Sequence, residues 1–107
     1  MKDFDDDEKF SRWIYDILGT GTMTSESVTA ALAVAFYCRN AERAAVMCAN
    51  MGGDTDTIGA MACAVCGAFE GLDALPASRT SFLETTNALD FRAMAADVAR
   101  ARASFHL

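Results

Sequence analysis

Proline occurs once among the 107 residues, histidine once, and no apolar run reaches the ~20 residues that span a bilayer. A single proline, with hydrophobic residues at 52% and charged ones at 22%, excludes a disordered chain and permits a real core in one domain. His106 stands one residue from the end with no nucleophile motif beside it, so it reads as a loose tail residue. The start of the chain has neither the basic region nor the apolar run of a signal peptide, and a cytoplasmic location is expected. Basic residues are also scarce: nine Lys and Arg face fifteen Asp and Glu, a net charge of -6. The phosphates of nucleic acid and of anionic membranes attract basic surfaces, so neither is expected as a partner.

Cysteine is present but not in a pattern that binds metal. Cys63 and Cys66 have CxxC spacing, yet they lie within an alanine-rich helical run, whereas zinc and redox pairs sit in turns or at a helix start. With Cys38 and Cys48 they are expected to be small buried hydrophobes. The acidic cluster Asp3-Phe4-Asp5-Asp6-Asp7-Glu8 lacks a following threonine or a glycine-rich context, and it reads as a solvated, frayed terminus.

The chemistry is concentrated elsewhere, in Asn50-Met51-Gly52-Gly53-Asp54-Thr55-Asp56-Thr57-Ile58-Gly59, which runs into an apolar segment of small residues. Gly52 and Gly53 allow a sharp turn and close approach of a ligand to the backbone amides. Asp54, Asp56 and Thr57 then offer oxygen alone, which suits Mg²⁺ or Ca²⁺ and not zinc or copper. Helix capping by Asp54 or Thr55 explains one acidic residue. A second carboxylate at i+2 adds like-charge repulsion that a cation or a set of amides would relieve. On the residues alone, both readings stand. An EF-hand does not: its loop needs an oxygen ligand where Ile58 stands and a bidentate glutamate where Val65 stands. Ile58 likewise occupies the hydroxyl position of a phosphatase-type Asp-x-Asp-x-Thr motif.

Residues Asn50 to Gly71, NMGGDTDTIGAMACAVCGAFEG, resemble the C-terminal signature of the ADP-ribosylglycohydrolase family. The likeness extends upstream to GTGTMTSESVTAALAVAFY (Gly19 to Tyr37) and downstream to Pro76. The resemblance implies an all-α fold, a compact orthogonal helical bundle forming the C-terminal part of a larger all-helical domain. It implies a centre of two Mg²⁺ ions with Asp54, Asp56 and Thr57 as ligands, Asp56 shared between the ions, and Gly52 and Gly53 lining the substrate side. The substrate would be an ADP-ribosylated protein or a small molecule containing ADP-ribose, cleaved by attack of water on the anomeric carbon of the distal ribose. No side chain here is assigned as catalytic. Family members are two to three times longer, and a second acidic motif and a separate glutamate in their N-terminal half have no counterpart in this sequence. The chain is therefore expected to carry half of an active site. The alternative is a noncatalytic helical module that keeps the loop for structural reasons.

The remaining pattern is helical throughout. Ser25 or Ser27 is placed to cap a helix ending at about Cys38, and Asn40 to cap a second ending near Asn50. A third begins within the Asp-Thr-Asp-Thr segment and runs to about Phe69, stopped by Gly71. Pro76 suits the first turn of a fourth, and Asp90 caps a last one whose Phe91, Met94, Ala95, Val98 and Ala99 form a core stripe. Gly19-Thr20-Gly21-Thr22 reads as an interhelix turn that could also wall the pocket. The helix over 28–37 is apolar on every side, which short helices of one small domain cannot enclose. Self-association, or a partner chain supplying the missing half, is expected to cover it.

Overall fold

The computed structural model describes residues 6–105. Every regular element among them is helical: α1 (Asp7–Trp13), a π-helical turn (Ile14–Leu18), α2 (Thr24–Cys38), α3 (Ala41–Met51), α4 (Thr55–Glu70), a 3₁₀ turn (Leu72–Ala74), α5 (Ala77–Asn87) and α6 (Phe91–Ser104). The chain forms two compact units, Met1–Ala74 and Leu75–Leu107. No helix among the described residues is long and apolar enough to cross a membrane.

In the first unit α4 is the element that α2 and α3 both pack against. Its buried residues Ile58, Ala62 and Cys66 recur four apart, one face of a helix, and they meet Ala30 and Val34 of α2 and Ala44 and Cys48 of α3 in the core. Alanines at these positions remove bulk between the helices and let their axes come close. Phe10 and Ile14 close the core from α1 and the π turn, and the Phe10 ring stacks on Tyr37 with centroids 4.0 Å apart. The cysteines behave as expected of small hydrophobes: Cys38, Cys48 and Cys66 are buried, and the half-buried Cys63 donates its thiol to the Ala41 carbonyl at 3.5 Å.

The helix ends follow local chemistry where a side chain is free to turn back. Asn40 accepts from the Arg43 N–H at 2.9 Å and starts α3 as its sequence position implied. That end is secured a second time, because Glu70 at the close of α4 accepts from the Ala41 N–H at 3.1 Å and from Asn40 Nδ2 at 3.3 Å. Gly71 follows α4 with φ +86, the stop its position implied. Two expectations need correction. Neither Ser25 nor Ser27 caps α2: Met23 holds that position without a side-chain cap, and Ser27 is buried on the packing face. Nor is the acidic start merely solvated. Asp6 accepts from the Lys9 N–H at 2.7 Å as the cap of α1, and Asp7 pairs with Arg43 at 2.8 Å. Burial of Phe10 and Ile14 carries α1 into the core, and the acidic residues go with its first turn. Asp3, Phe4 and Asp5, like His106, lie outside the described residues.

The second unit is a pair of helices. Pro76 immediately precedes α5, Ala88 reverses the chain in a left-handed conformation, and Asp90 caps α6 by accepting from the Ala93 N–H at 3.0 Å. Glu84 reaches across to the Phe91 N–H at 2.8 Å. The stripe Phe91, Met94, Ala95, Val98 and Ala99 is not core, however; no residue of α5 or α6 is buried. Helical spacing establishes which residues share a face, whereas burial requires a neighbour to cover that face.

Two outcomes follow from this packing. Glu70→Ala removes the second of the two anchors at the start of α3 and lowers stability by about 1–2 kcal/mol in urea titrations followed by circular dichroism. Burial pushes the Cys38 and Cys48 thiols from 9.0 up to about 11. Above pH ~9 the unfolded chain gives up these protons while the folded chain keeps them, so stability present below that pH declines as pH rises toward ~11. Urea midpoints at several alkaline pH values measure the decline, and replacing both cysteines with alanine makes it shallower, the raised Cys63, Cys66 and Tyr37 retaining the rest.

Candidate hard-cation site at the start of α4

The loop between α3 and α4 is shaped by what it leans on. Gly53 adopts φ +80, and a methyl group at its Cα would strike the Thr20 carbonyl and hydroxyl. The next residue completes the contact: the Asp54 N–H donates to the Thr20 carbonyl at 2.7 Å. Thr20 is buried under this contact, although the rest of its loop is not. The Gly19-Thr20-Gly21-Thr22 turn is thus a wall of the carboxylate loop as well as a connection. Glu26 of α2 lies against this turn, its carboxylate where side chains on Gly19 and Gly21 would be. On the other side, the Tyr15 ring sits 3.3 Å from where a Gly52 Cβ would stand, and an open cleft of about 420 Å³ adjoins, bordered by Arg12, Tyr15, Asp16, Asn50 and Gly52.

From this support the oxygen-bearing side chains project at the helix start. Asp54 occupies the capping position of α4, and its carbonyl accepts the Ile58 N–H at 3.1 Å, but its side chain makes no capping hydrogen bond. Asp56 lies in the first turn, exposed, as is Thr57; Asp54 is half-buried. A hydrogen bond from the Asp54 carboxyl, and then the Thr57 and Asp56 backbone N–H groups, hold Asp56 below its ordinary value of 3.8. The two acidic residues thus stand near each other at one helix start. When both ionise, their repulsion is relieved by a cation between them or by the positive end of the helix beneath.

The donor set matches a hard cation in kind and falls short in number. It offers oxygen from Asp54, Asp56 and Thr57, with the Gly52 and Gly53 backbone alongside, and among the described residues no group of three or more His, Cys, Asp or Glu is placed to hold a metal ion. Mg²⁺ takes about six oxygens, so this loop supplies part of a shell. Sequence reasoning named these five residues but not the supports Tyr15 and Glu26. The signal for Glu26 was the alternation Gly19-Thr-Gly21 shortly before a glutamate, where bare backbone leaves room for a carboxylate.

The described residues thus form an all-helical chain with an oxygen-only cluster of side chains at one helix start. Comparison with known proteins makes it specific. The family model for ADP-ribosylglycohydrolase matches residues 2–105, and the chain belongs to that family. It is 43% identical over 103 residues to Uncharacterized protein YegU of Escherichia coli (strain K12), an alignment that covers 95% of this chain and 31% of the relative. The chain thus spans about a third of the length of that relative. No solved structure matches it significantly.

Two glycines separate the demands of the loop from those of the helix. Gly53→Ala must move Thr20 and carry a strained φ, lowering stability by about 1–3 kcal/mol. Gly67→Ala, inside α4 with nothing within 4 Å of the new methyl, raises stability by about 0.5–1 kcal/mol. Paired thermal melts of the two variants check the contrast.

Proposed function

We propose that this chain contributes the carboxylate loop of an ADP-ribosylglycohydrolase, a hydrolase that removes ADP-ribose from a modified side chain or small molecule. Membership of the family supports the reaction class. The single observation that supports the metal role is the pair Asp54 and Asp56 at one helix start, where the Asp54 side chain makes no capping hydrogen bond to that helix. Asp54 and Asp56 would hold Mg²⁺, and the exposed Thr57 hydroxyl would add a neutral donor. Magnesium in such a site supplies a Lewis acid that binds ribose hydroxyls, orients water and stabilises developing charge.

The chain's own residues do the positioning. Thr20 fixes the Asp54 backbone by a main-chain hydrogen bond, which sets where the first carboxylate starts from. Asp56 rides on the first turn of α4, whose other end is tied to α3 through Glu70, so the two ends of one rigid helix are anchored. Gly52 and Gly53 present backbone without side chains beside the cleft under Tyr15, room for the sugar or diphosphate of the substrate, and the positive end of α4 favours an anionic group there.

Isothermal titration calorimetry with Mg²⁺ and ADP-ribose tests the reading. With three protein side chains as donors, Mg²⁺ binds weakly, on the order of millimolar, and Asp56→Ala abolishes the heat. Because Asp56 is held below its ordinary carboxylate value of 3.8, its contribution to binding persists to more acidic solution than that of an ordinary aspartate. An unchanged heat in Asp56→Ala sinks the proposal; no heat from a helical wild-type chain favours the noncatalytic module.

A further inference from the structure

Each of the two units leaves an apolar surface open. In the first, Leu32 and Phe36 stand four apart on α2, and Val65 and Phe69 stand four apart on α4. Phe36 is 58% exposed and Phe69 75%, and with Arg39 they border a groove of about 640 Å³ with almost wholly carbon walls. In the second, Phe91, Met94 and Val98 share a face of α6 by their spacing of three and four, and Phe82 and Leu83 are exposed on α5. Val98 is 69% exposed and Phe82 67%. Isolated exposed apolar residues are ordinary; a groove between two helices and a hairpin with no buried residue mark association surfaces.

We infer that the α5–α6 hairpin of one copy of this chain seats its apolar face in the α2–α4 groove of a second copy, each copy giving one hairpin and receiving one. The hairpin has the stronger need. A unit below about 40 residues usually depends on a disulfide, a metal or association. All four cysteines lie in the first unit, and among the described residues no group of three or more His, Cys, Asp or Glu is placed to hold a metal, so association remains.

Charge selects the surface that the hairpin meets. Its unit, residues 75–107, carries four arginines against three carboxylates, so the net charge of -6 resides in the first unit. A dimer built groove to groove would press two acidic units together, whereas a hairpin in a groove sets a weakly basic unit on an acidic one. A two-fold axis then makes the exchange reciprocal, and both open surfaces of both copies are covered at once. The inference draws nothing from the hydrolase reading.

Light scattering of the full chain in metal-free buffer tests it, and a dimer is expected. Phe36→Asp in the groove and Val98→Asp on the hairpin each weaken the dimer by about tenfold or more, as loss of a central apolar contact does. Circular dichroism shows retained helix in both, because both side chains are exposed in the chain alone. Should either variant lose helix, Phe69→Glu and Phe82→Glu repeat the comparison. Mixing the Phe36→Asp and Val98→Asp chains recovers a dimer of intermediate affinity, since one copy keeps an intact hairpin and the other an intact groove. Asp56→Ala leaves association unchanged. A wild-type chain that stays monomeric at micromolar concentration, a dimer indifferent to the hairpin variants, or a mixture that remains monomeric overturns the inference.

Discussion

The 2.7 Å hydrogen bond from the Asp54 N–H to the Thr20 carbonyl joins two loops that nothing in their local chemistry would bring together. One belongs to the turn before α2, the other to the turn before α4, and the bond is possible only because Gly53 has no side chain to keep Thr20 away. Through it the beginnings of two packed helices become one surface. The carboxylates of Asp54 and Asp56 stand on that surface, and their mutual position is inherited from helix packing below.

A helix start is a common place for an aspartate, and capping usually accounts for it. At α1, α3 and α6 it does: Asp6, Asn40 and Asp90 each accept a backbone N–H from three residues on. Asp54 holds the same position on α4 and makes no such bond. Within one chain the same kind of residue at the same kind of position is used in two ways, and the difference lies in the neighbouring Asp56. The backbone contact with Thr20 holds the Asp54 main chain and leaves its side chain without a capping bond.

Much of this was legible in order along the chain. Asn40, Asp90 and Gly71 marked helix ends because capping and left-handed termination depend on the residue itself and its next few neighbours. Asp54, Asp56 and Thr57 were readable as a donor set because ligand hardness is a property of side-chain atoms. The failures share one cause. Ser25 and Ser27 look like caps, but the backbone begins α2 at Thr24 and packing places Ser27 in the interior. The stripe on α6 looks like core, but a stripe only nominates a face, and no residue of that unit is buried. Asp6 and Asp7 look like a frayed end until Phe10 and Ile14 are seen in the core, carrying the first turn with them.

Short-range chemistry therefore determined from sequence alone that the described chain is all-helical, where three of its helices stop, and that one loop carries oxygen donors without thiol or imidazole. Tertiary structure alone decided that Thr20 bonds the Asp54 backbone, that Glu26 lies against the Gly19 and Gly21 turn, and which side of α2 and α4 remains open. The physical reason is range. Caps and ligand preferences act over a few residues, whereas the meeting of Thr20 with Gly53, and the bare face beside Phe36 and Phe69, depend on segments far apart in the chain.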